Sequence, residues 1–522
     1  MRLRSFGLAG LGAAAMLSIS ACNADELTKV NEDPNNPTSA PPAAVFTGAV
    51  RTAMQRWYGS TPENMRGPVL TAQHLAQVQY PDEDQYLRLD AATTEAAFLG
   101  TYFNQLKNLQ AVIDAGQSDP ARPRPLVWGP AQIMRSLVFG WLTDVWGDVP
   151  YSQALTGDDL EAGTILPAYD SQKDIYDGLF ADLGEAVAAI AGGGGTPGLG
   201  NADPIYGGDA LSWQRFGNSL RARHAMRLAN VDPTTATAQL TAAMNAPGGL
   251  MQSNADNAKM SWPGDGVYDN PWAVNNRTRD DHRLSQTLMN EMLPRQDPRI
   301  PVYAQPTLAD ADVYAGMPNA LTASQAGNYS LTSSRPGAVF YSTDRFCADC
   351  PALVGASWPS FILTYAEVSF ILAEAAERTW ISGSAAAFYA QGIRASMEQW
   401  GVTSQAAINA YLARSDVAYQ GGAAGLRQIA LQKWIALFTD GVQAWAEWRR
   451  TCVPETLKPG PAAVINTVPR RFQYPPREHS VNAKNVDAAV ARQGADAFTT
   501  RMYWDTAPTA APTYPGASCG VR

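Results

Sequence analysis

"LTDVWGDVPYSQAL", Leu142 to Leu155, is where the fold is decided. Asp144 and Asp148 flank Trp146 and Gly147, and Pro150 and Tyr151 follow. A carboxylate pair beside an aromatic ring is what a glycan-cleaving enzyme presents. The same residues also make a helix stop. Upstream, Ile133, Leu137, Val138, Trp141, Leu142 and Val145 recur at three- and four-residue spacing, so a helix with one apolar face is expected over 131–145. Gly147 suits the left-handed position just past the last turn, and Pro150 stands where the chain cannot stay helical. Asp144 then falls in the last turn, where the helix dipole disfavours a carboxylate. Compensation by an arginine or by loop N–H groups is expected there. Asp148 is expected to bond the amides of its own loop as an Asx turn.

Outward from this stretch, helical periodicity dominates. Val45, Phe46, Ala49, Val50 and Met54 mark one helix, and residues 93–113 a second, with Thr93 or Thr94 as its N-cap. Further helices are expected at 171–190, 209–230, Phe361–Trp380, 384–400, 403–413 and 422–450. The glycine run "AGGGGTPGLGNAD" lacks the Lys-Ser/Thr of a phosphate loop and reads as a surface loop. From about 245 to 357 the periodicity fades. "SWPGDGVYDNPWAVNNRTRDDHRLS" and "LPRQDPRIPVYAQP" are irregular and rich in aromatic residues, a composition common in loops that carry function. The tail after 452 is again loop-like. Paired amphipathic helices with short turns predict a mainly α fold, a tetratricopeptide-like superhelical scaffold with a loop-rich half.

The bulk numbers narrow the function. Hydrophobic residues are 46% and charged residues 17% of 522, a globular composition. The formal net charge of −9 argues against nucleic acid, whose phosphates need a basic face. Trp (14) and Tyr (20) are plentiful enough to stack on sugars or peptides, although core packing competes for each ring. At the start, Arg2 and Arg4 precede the apolar run "FGLAGLGAAAMLSI", which ends in "ISAC", Ile19 to Cys22. This pattern predicts a lipoprotein signal peptide over 1–21 with lipidation of Cys22. Residues 22–42, including the Pro-rich "NEDPNNPTSAPP", read as a tether, and 43–522 as a single domain. No other apolar run has the length to span a bilayer, so a lipid-anchored protein is expected.

Four cysteines remain after Cys22. "CADC" has no second pair or nearby His to complete a zinc site, so a local Cys347–Cys350 disulfide is expected, leaving Cys452 to pair with Cys519. Of the four histidines, His74, His224, His282 and His479, none sits in a metal or hydrolase motif, and nothing calls for a cofactor. Two carboxylate pairs are enzyme candidates: Asp144 with Asp148, and Glu367 with Glu374, seven apart on one helix face. An α-helical carbohydrate-active hydrolase and a tetratricopeptide-like scaffold for protein partners are therefore two readings these residues leave open.

The opening stretch resembles the "D-x-[YW]-G-D-[VI]-P-Y-[ST]-x-A" segment of the SusD/RagB family of outer-membrane nutrient-binding lipoproteins. "ILTYAEVSFILAEAAER" is similar to the family's "YAE-x-x-x-x-x-AEA" helix, and "LQKWIALFTDGVQAWAEWRRT" to its C-terminal helix pair, in family order. The lipobox and the "NEDPNNPT" start fit as well. The resemblance implies one α-rich fold with four tetratricopeptide-like helix pairs, no catalysis, and a place on the outer membrane facing the exterior. It implies a TonB-dependent SusC-like transporter as partner and an oligosaccharide or peptide as ligand. By position, the loop "QYPDEDQYLRLD" and the 262–283 segment are the expected ligand site. Tyr80, Tyr86, Trp262, Tyr268 and Trp272 are the candidates for stacking, and Asp82, Arg88, Asn270 and Arg279 for polar contacts.

Overall fold

The computed structural model describes residues 40–157, 161, 163–347, 350, 353–506 and 519–521. Cys22 and most of the expected tether lie outside the described residues. Helix α1 (Pro42–Trp57) starts on a proline at its first position, where the missing N–H costs nothing, and buries Phe46, Ala49, Val50, Ala53, Met54 and Trp57. Helix α2 (Ala91–Thr101) is capped by Asp90, whose carboxylate accepts from the amides of Ala92 and Thr93. Thr93 and Thr94, the expected caps, therefore lie inside the first turn. The single helix expected over 93–113 is also interrupted. A π-turn at Tyr102–Leu106 inserts one extra residue before α3 (Lys107–Gln117). The shift turns Gln105 inward, where its Oε1 accepts from Trp57 Nε1 at 3.0 Å.

Helix α4 (Pro125–Trp146) is buried nearly all round, as an interior helix must be when it is apolar on every face. Helices α5 (Gln172–Gly192), α6 (Ala210–Arg227) and α7 (Pro233–Asn245) follow, capped by Ser171, Asp209 and Asp232. After the irregular segment come α8 (Tyr365–Glu377), α9 (Ala385–Gln399), α10 (Gln405–Leu412), α11 (Gly422–Ala436) and α12 (Gly441–Thr451). Neighbours along the chain pack together: α3 on α4, α5 on α6, α8 on α9, and α11 on α12. Contacts of α4 with α5, of α6 with α8 and of α8 with α11 stack these pairs into one tetratricopeptide-like scaffold. Among the described residues, no helix is long and apolar enough to cross a membrane.

Three other expectations change. Residues Ser360–Leu363 form a strand, and the helix expected from Phe361 begins only at Tyr365, with Thr364 as its cap. A short apolar run fits strand and helix equally, and here a partner strand decides. The segment 422–450 breaks at Thr439 (φ +81°), after which Asp440 caps α12. The tail carries two helices, α13 (Pro476–Val481) and α14 (Ala483–Gln493). The strands are short: β1 (Leu75–Gln77), β2 (Val149–Pro150), β3 (Tyr169–Asp170), β4 (Ala258–Met260), β5 (His282–Leu284) and β6 (Ser360–Leu363). They pair antiparallel, β1 with β5, β2 with β3 and β4 with β6.

The opening stretch is a helix stop built from long-range bonds. Gly147 takes φ +84° and ψ −121°, a backbone suited to glycine, and a Cβ there would fall on the Gln493 amide. Asp144 is compensated by an arginine, Arg227 Nη2 at 3.2 Å, and by the Tyr176 hydroxyl at 2.6 Å. Asp148 forms no Asx turn. Its Oδ1 accepts from Gln172 N at the start of α5 (2.8 Å), and its Oδ2 from Arg492 Nε on α14 (2.7 Å). Two amides of the loop that follows, those of Tyr151 and Ser152, donate to Asp170 Oδ2 at 2.9 Å each. Disulfides join Cys347 to Cys350 and Cys452 to Cys519, with Cα–Cα distances of 5.3 and 5.7 Å.

Candidate functional site

The C-terminal end of α1 and the loop after it face the 267–279 segment across a cleft of about 520 Å3. Gln55, Ser60 and Arg66 line one side, and Asp269, Asn275, Thr278 and Arg279 are among the residues of the other. The second wall is held by a short helix, Pro271–Asn276, whose cap is Asn270. Asn270 Oδ1 accepts from Trp272 N at 2.8 Å, and its Nδ2 donates to Trp358 O at 2.7 Å. This cross-link ties the wall to the segment before β6. Arg277 bonds Asp269 within the same wall.

Two tyrosines stand beside the cleft. Tyr80 is 46% exposed, with the Arg279 guanidinium 5.6 Å from its ring centroid. Tyr268 is 36% exposed, with the Arg51 guanidinium 3.5 Å over its ring. An arginine thus covers one face of each ring, an arrangement that fixes both partners. Arg66 Nε donates to Glu83 Oε1 at 2.5 Å, and Arg88 pairs with Asp82 at 2.6 Å on the surface.

The structure brings together some of the expected ligand residues and withdraws others. Arg279 lines the cleft, Tyr80 and Tyr268 adjoin it, and Asp82 and Arg88 pair with each other at the surface. Tyr86, Trp262 and Trp272 are buried and present no ring to solvent. Trp262 Nε1 donates to Ser360 Oγ at 3.0 Å, and Trp272 packs on Phe340 with ring centroids 4.8 Å apart. Asn270 is spent as a helix cap. Asn275 and Thr278 fall within the expected 262–283 segment without having been singled out, while Arg51, Gln55 and Arg66 lie outside both expected segments. Arg51 and Gln55 are one turn apart on α1, a polar face whose composition alone does not separate a cleft wall from ordinary solvated surface.

The carboxylates of both candidate pairs are bound by arginines. Glu367 accepts from Arg223 Nε and Nη2 at 2.8 and 2.5 Å, and Glu374 from Arg450 Nη1 and Nη2 at 2.7 and 2.6 Å. All four carboxylates of the two pairs are buried among helices with arginine partners. Burial drives the His74 and His282 imidazoles down to about 3 and about 4, so both are neutral at pH 7. Among the described residues, no group of three His, Cys, Asp or Glu side chains is placed to hold a metal ion.

The SusD-like family model described as "Starch-binding associating with outer membrane" matches residues 34–475. The fold is similar to that of a solved chitin-binding protein at 28% identity and a TM-score of 0.76, covering 89% of this chain and 100% of that one. It is also similar to a SusD homolog from Bacteroides fragilis NCTC 9343, at 25% identity and a TM-score of 0.73, with 90% and 100% coverage. A chitin-binding SusD homolog from Flavobacterium johnsoniae shares the fold at 23% identity and a TM-score of 0.72, with 89% and 97% coverage. No curated protein matches the sequence. With a helix-pair scaffold on one side, an irregular segment walling a cleft on the other, and a family match over most of its length, the chain belongs to the SusD-like family.

Proposed function

We propose that the protein is a lipid-anchored outer-membrane nutrient-binding protein that captures oligosaccharides, or peptides, and hands them to a TonB-dependent SusC-like transporter. The observation that carries this reading is the cleft with two part-exposed tyrosines in a member of a family described as starch-binding. Rings that keep one open face beside polar side chains suit saccharides, whose apolar C–H faces stack while their hydroxyls hydrogen-bond. Chitin binding by a 28% identical relative supports a glycan over a peptide. The buried, arginine-bound state of both carboxylate pairs favours binding over hydrolysis.

Glycan arrays and peptide pull-downs with the purified protein test the ligand, and co-purification from native membranes tests the partner. Saturable glycan binding without turnover, and a TonB-dependent barrel in the purified complex, are the expected results. Glycan hydrolysis abolished by Asp148→Asn would replace the reading with the hydrolase. Binding of a protein partner along the helix pairs, with no small ligand, would replace it with the scaffold.

A further inference from the structure

The chain is acidic overall, yet the charged side chains that line the cleft with substantial exposure are arginines. Arg66 and Arg279 line it, and their side chains are 38% and 51% exposed. Arg51 lies one turn before Gln55 on α1, stacked on Tyr268, with its Nε buried and without a hydrogen-bond partner. The neighbouring carboxylates of Glu83, Asp269 and Asp281 are buried. Glu83 is occupied by Arg66 Nε and by Gln77 Nε2, and Asp269 by Arg277 and the Gly266 amide. Asp281 meets Arg279 Nη1 only at 3.4 Å.

More exposed acids of the two flanking loops are also engaged. Asp82 is bound by Arg88, and Asp265 accepts from the amides of Val267 and Tyr268. Among the described residues, Arg66 thus hydrogen-bonds a carboxylate through Nε alone, and Arg279 through one long bond beside its contact with the Tyr80 ring. At physiological salt, exposed charges more than about 8 Å away are largely screened, so the chain's distant net charge does not mask the exposed ends of Arg66 and Arg279. A guanidinium fork meets a carboxylate with two parallel hydrogen bonds, whereas a neutral hydroxyl offers no charge.

We infer that this cleft takes oligosaccharides bearing carboxylate groups, that is uronates, in preference to neutral ones, with Arg66 and Arg279 as the anion-reading side chains. The inference rests on the nutrient-binding reading above and names its ligand class. It is tested with the detergent-purified full chain by calorimetric titration of oligogalacturonate, oligomannuronate, methyl-esterified oligogalacturonate, chitohexaose and maltohexaose, at 20 and 300 mM NaCl.

The expected result is uronate binding that weakens at least tenfold in the higher salt, at least tenfold on methyl esterification, and at least tenfold in Arg279→Gln. The thermal midpoint of that variant should fall only slightly, because the side chain is half exposed and its contact with the buried Asp281 is long. Equal affinity for the free and esterified oligomers, or binding of the neutral oligomers alone, overturns the uronate preference and leaves the nutrient-binding reading intact. Binding of none of the five also overturns the uronate preference, and the nutrient-binding reading falls with it only if the glycan arrays and peptide pull-downs find no ligand either.

Discussion

Asp144 and Arg227 form an ion pair with both side chains buried, the carboxylate of α4's last turn against a guanidinium of α6 at 3.2 Å. The Tyr176 hydroxyl closes the same carboxylate from α5 at 2.6 Å, so one side chain joins three helices. Arg227 also donates to Gln443 on α12. Removing the charge leaves a buried guanidinium short of its anion, which costs about 3 kcal/mol. Asp144→Asn is therefore expected to lower the urea midpoint while glycan affinity stays unchanged, because the cleft is built from α1 and the 267–279 segment. Loss of affinity at full stability would return "LTDVWGDVPYSQAL" to the binding site.

The cleft rings and the core rings should separate by phenotype. Tyr80→Ala and Tyr268→Ala each remove a part-exposed ring and are expected to weaken glycan binding by about 1 kcal/mol, roughly fivefold, at near-native stability. Trp272→Ala empties a buried site between Phe340 and Phe438, at a cost of about 3–5 kcal/mol in unfolding free energy. Calorimetric titration and thermal unfolding on the three variants check both halves. Unchanged affinity in both tyrosine variants would remove these rings from the site.

The helices were legible where local chemistry settles them. Ser171, Asp209, Ser384 and Ser404 are capping residues placed directly before periodic runs, and each caps a helix in the structure. Other departures were decided at a distance. "FIL" became a strand because β4, about a hundred residues earlier, offers it a ladder. Asp148 lost its turn because Gln172 and Arg492 took the carboxylate. The same limit governs the site. Tyr80 and Trp272 are both aromatic residues in loop-like sequence, and only packing against Phe340 and Phe438 separates the buried ring from the exposed one. Arg66 was missed because its cleft partners lie some two hundred residues along the chain.

The two disulfides should differ in worth. Cys452–Cys519 closes a separation of 67 residues and pins the C-terminal residues to the end of α12, while Cys347–Cys350 closes a separation of three. By loop-closure entropy the first is worth about 4 kcal/mol and the second about 2 kcal/mol. Cys452→Ser with Cys519→Ser is expected to lower the denaturation midpoint clearly more than Cys347→Ser with Cys350→Ser. Equal effects would show that the long loop keeps its ends together without the bond.

Asp440 caps α12 through the Gln443 amide at 3.2 Å and accepts from the Tyr58 hydroxyl at 2.9 Å, fully inside the fold. Burial first, with the nearby Glu367 charge adding to it against the opposing pull of Arg223, raises its carboxyl from 3.8 to about 7. Between those values the native state holds a proton that the unfolded chain has released. The stability this gives is complete below about pH 4 and is lost as the pH rises to about 7. Asp84, also pushed up to about 7 by burial, acts in the same direction. Glu374, held low against its burial by Arg450 and Arg378, acts oppositely and withdraws stability as the pH falls below its ordinary range. Unfolding free energy should therefore peak at mildly acidic pH. Asp440→Asn keeps the cap and the Tyr58 bond while removing the titration. It is expected to flatten the decline between pH 4 and 7 and to raise stability at pH 8 by on the order of 2 kcal/mol. A pH profile identical to that of the parent protein would show that Asp440 is ionised throughout, its charge carried by Arg223.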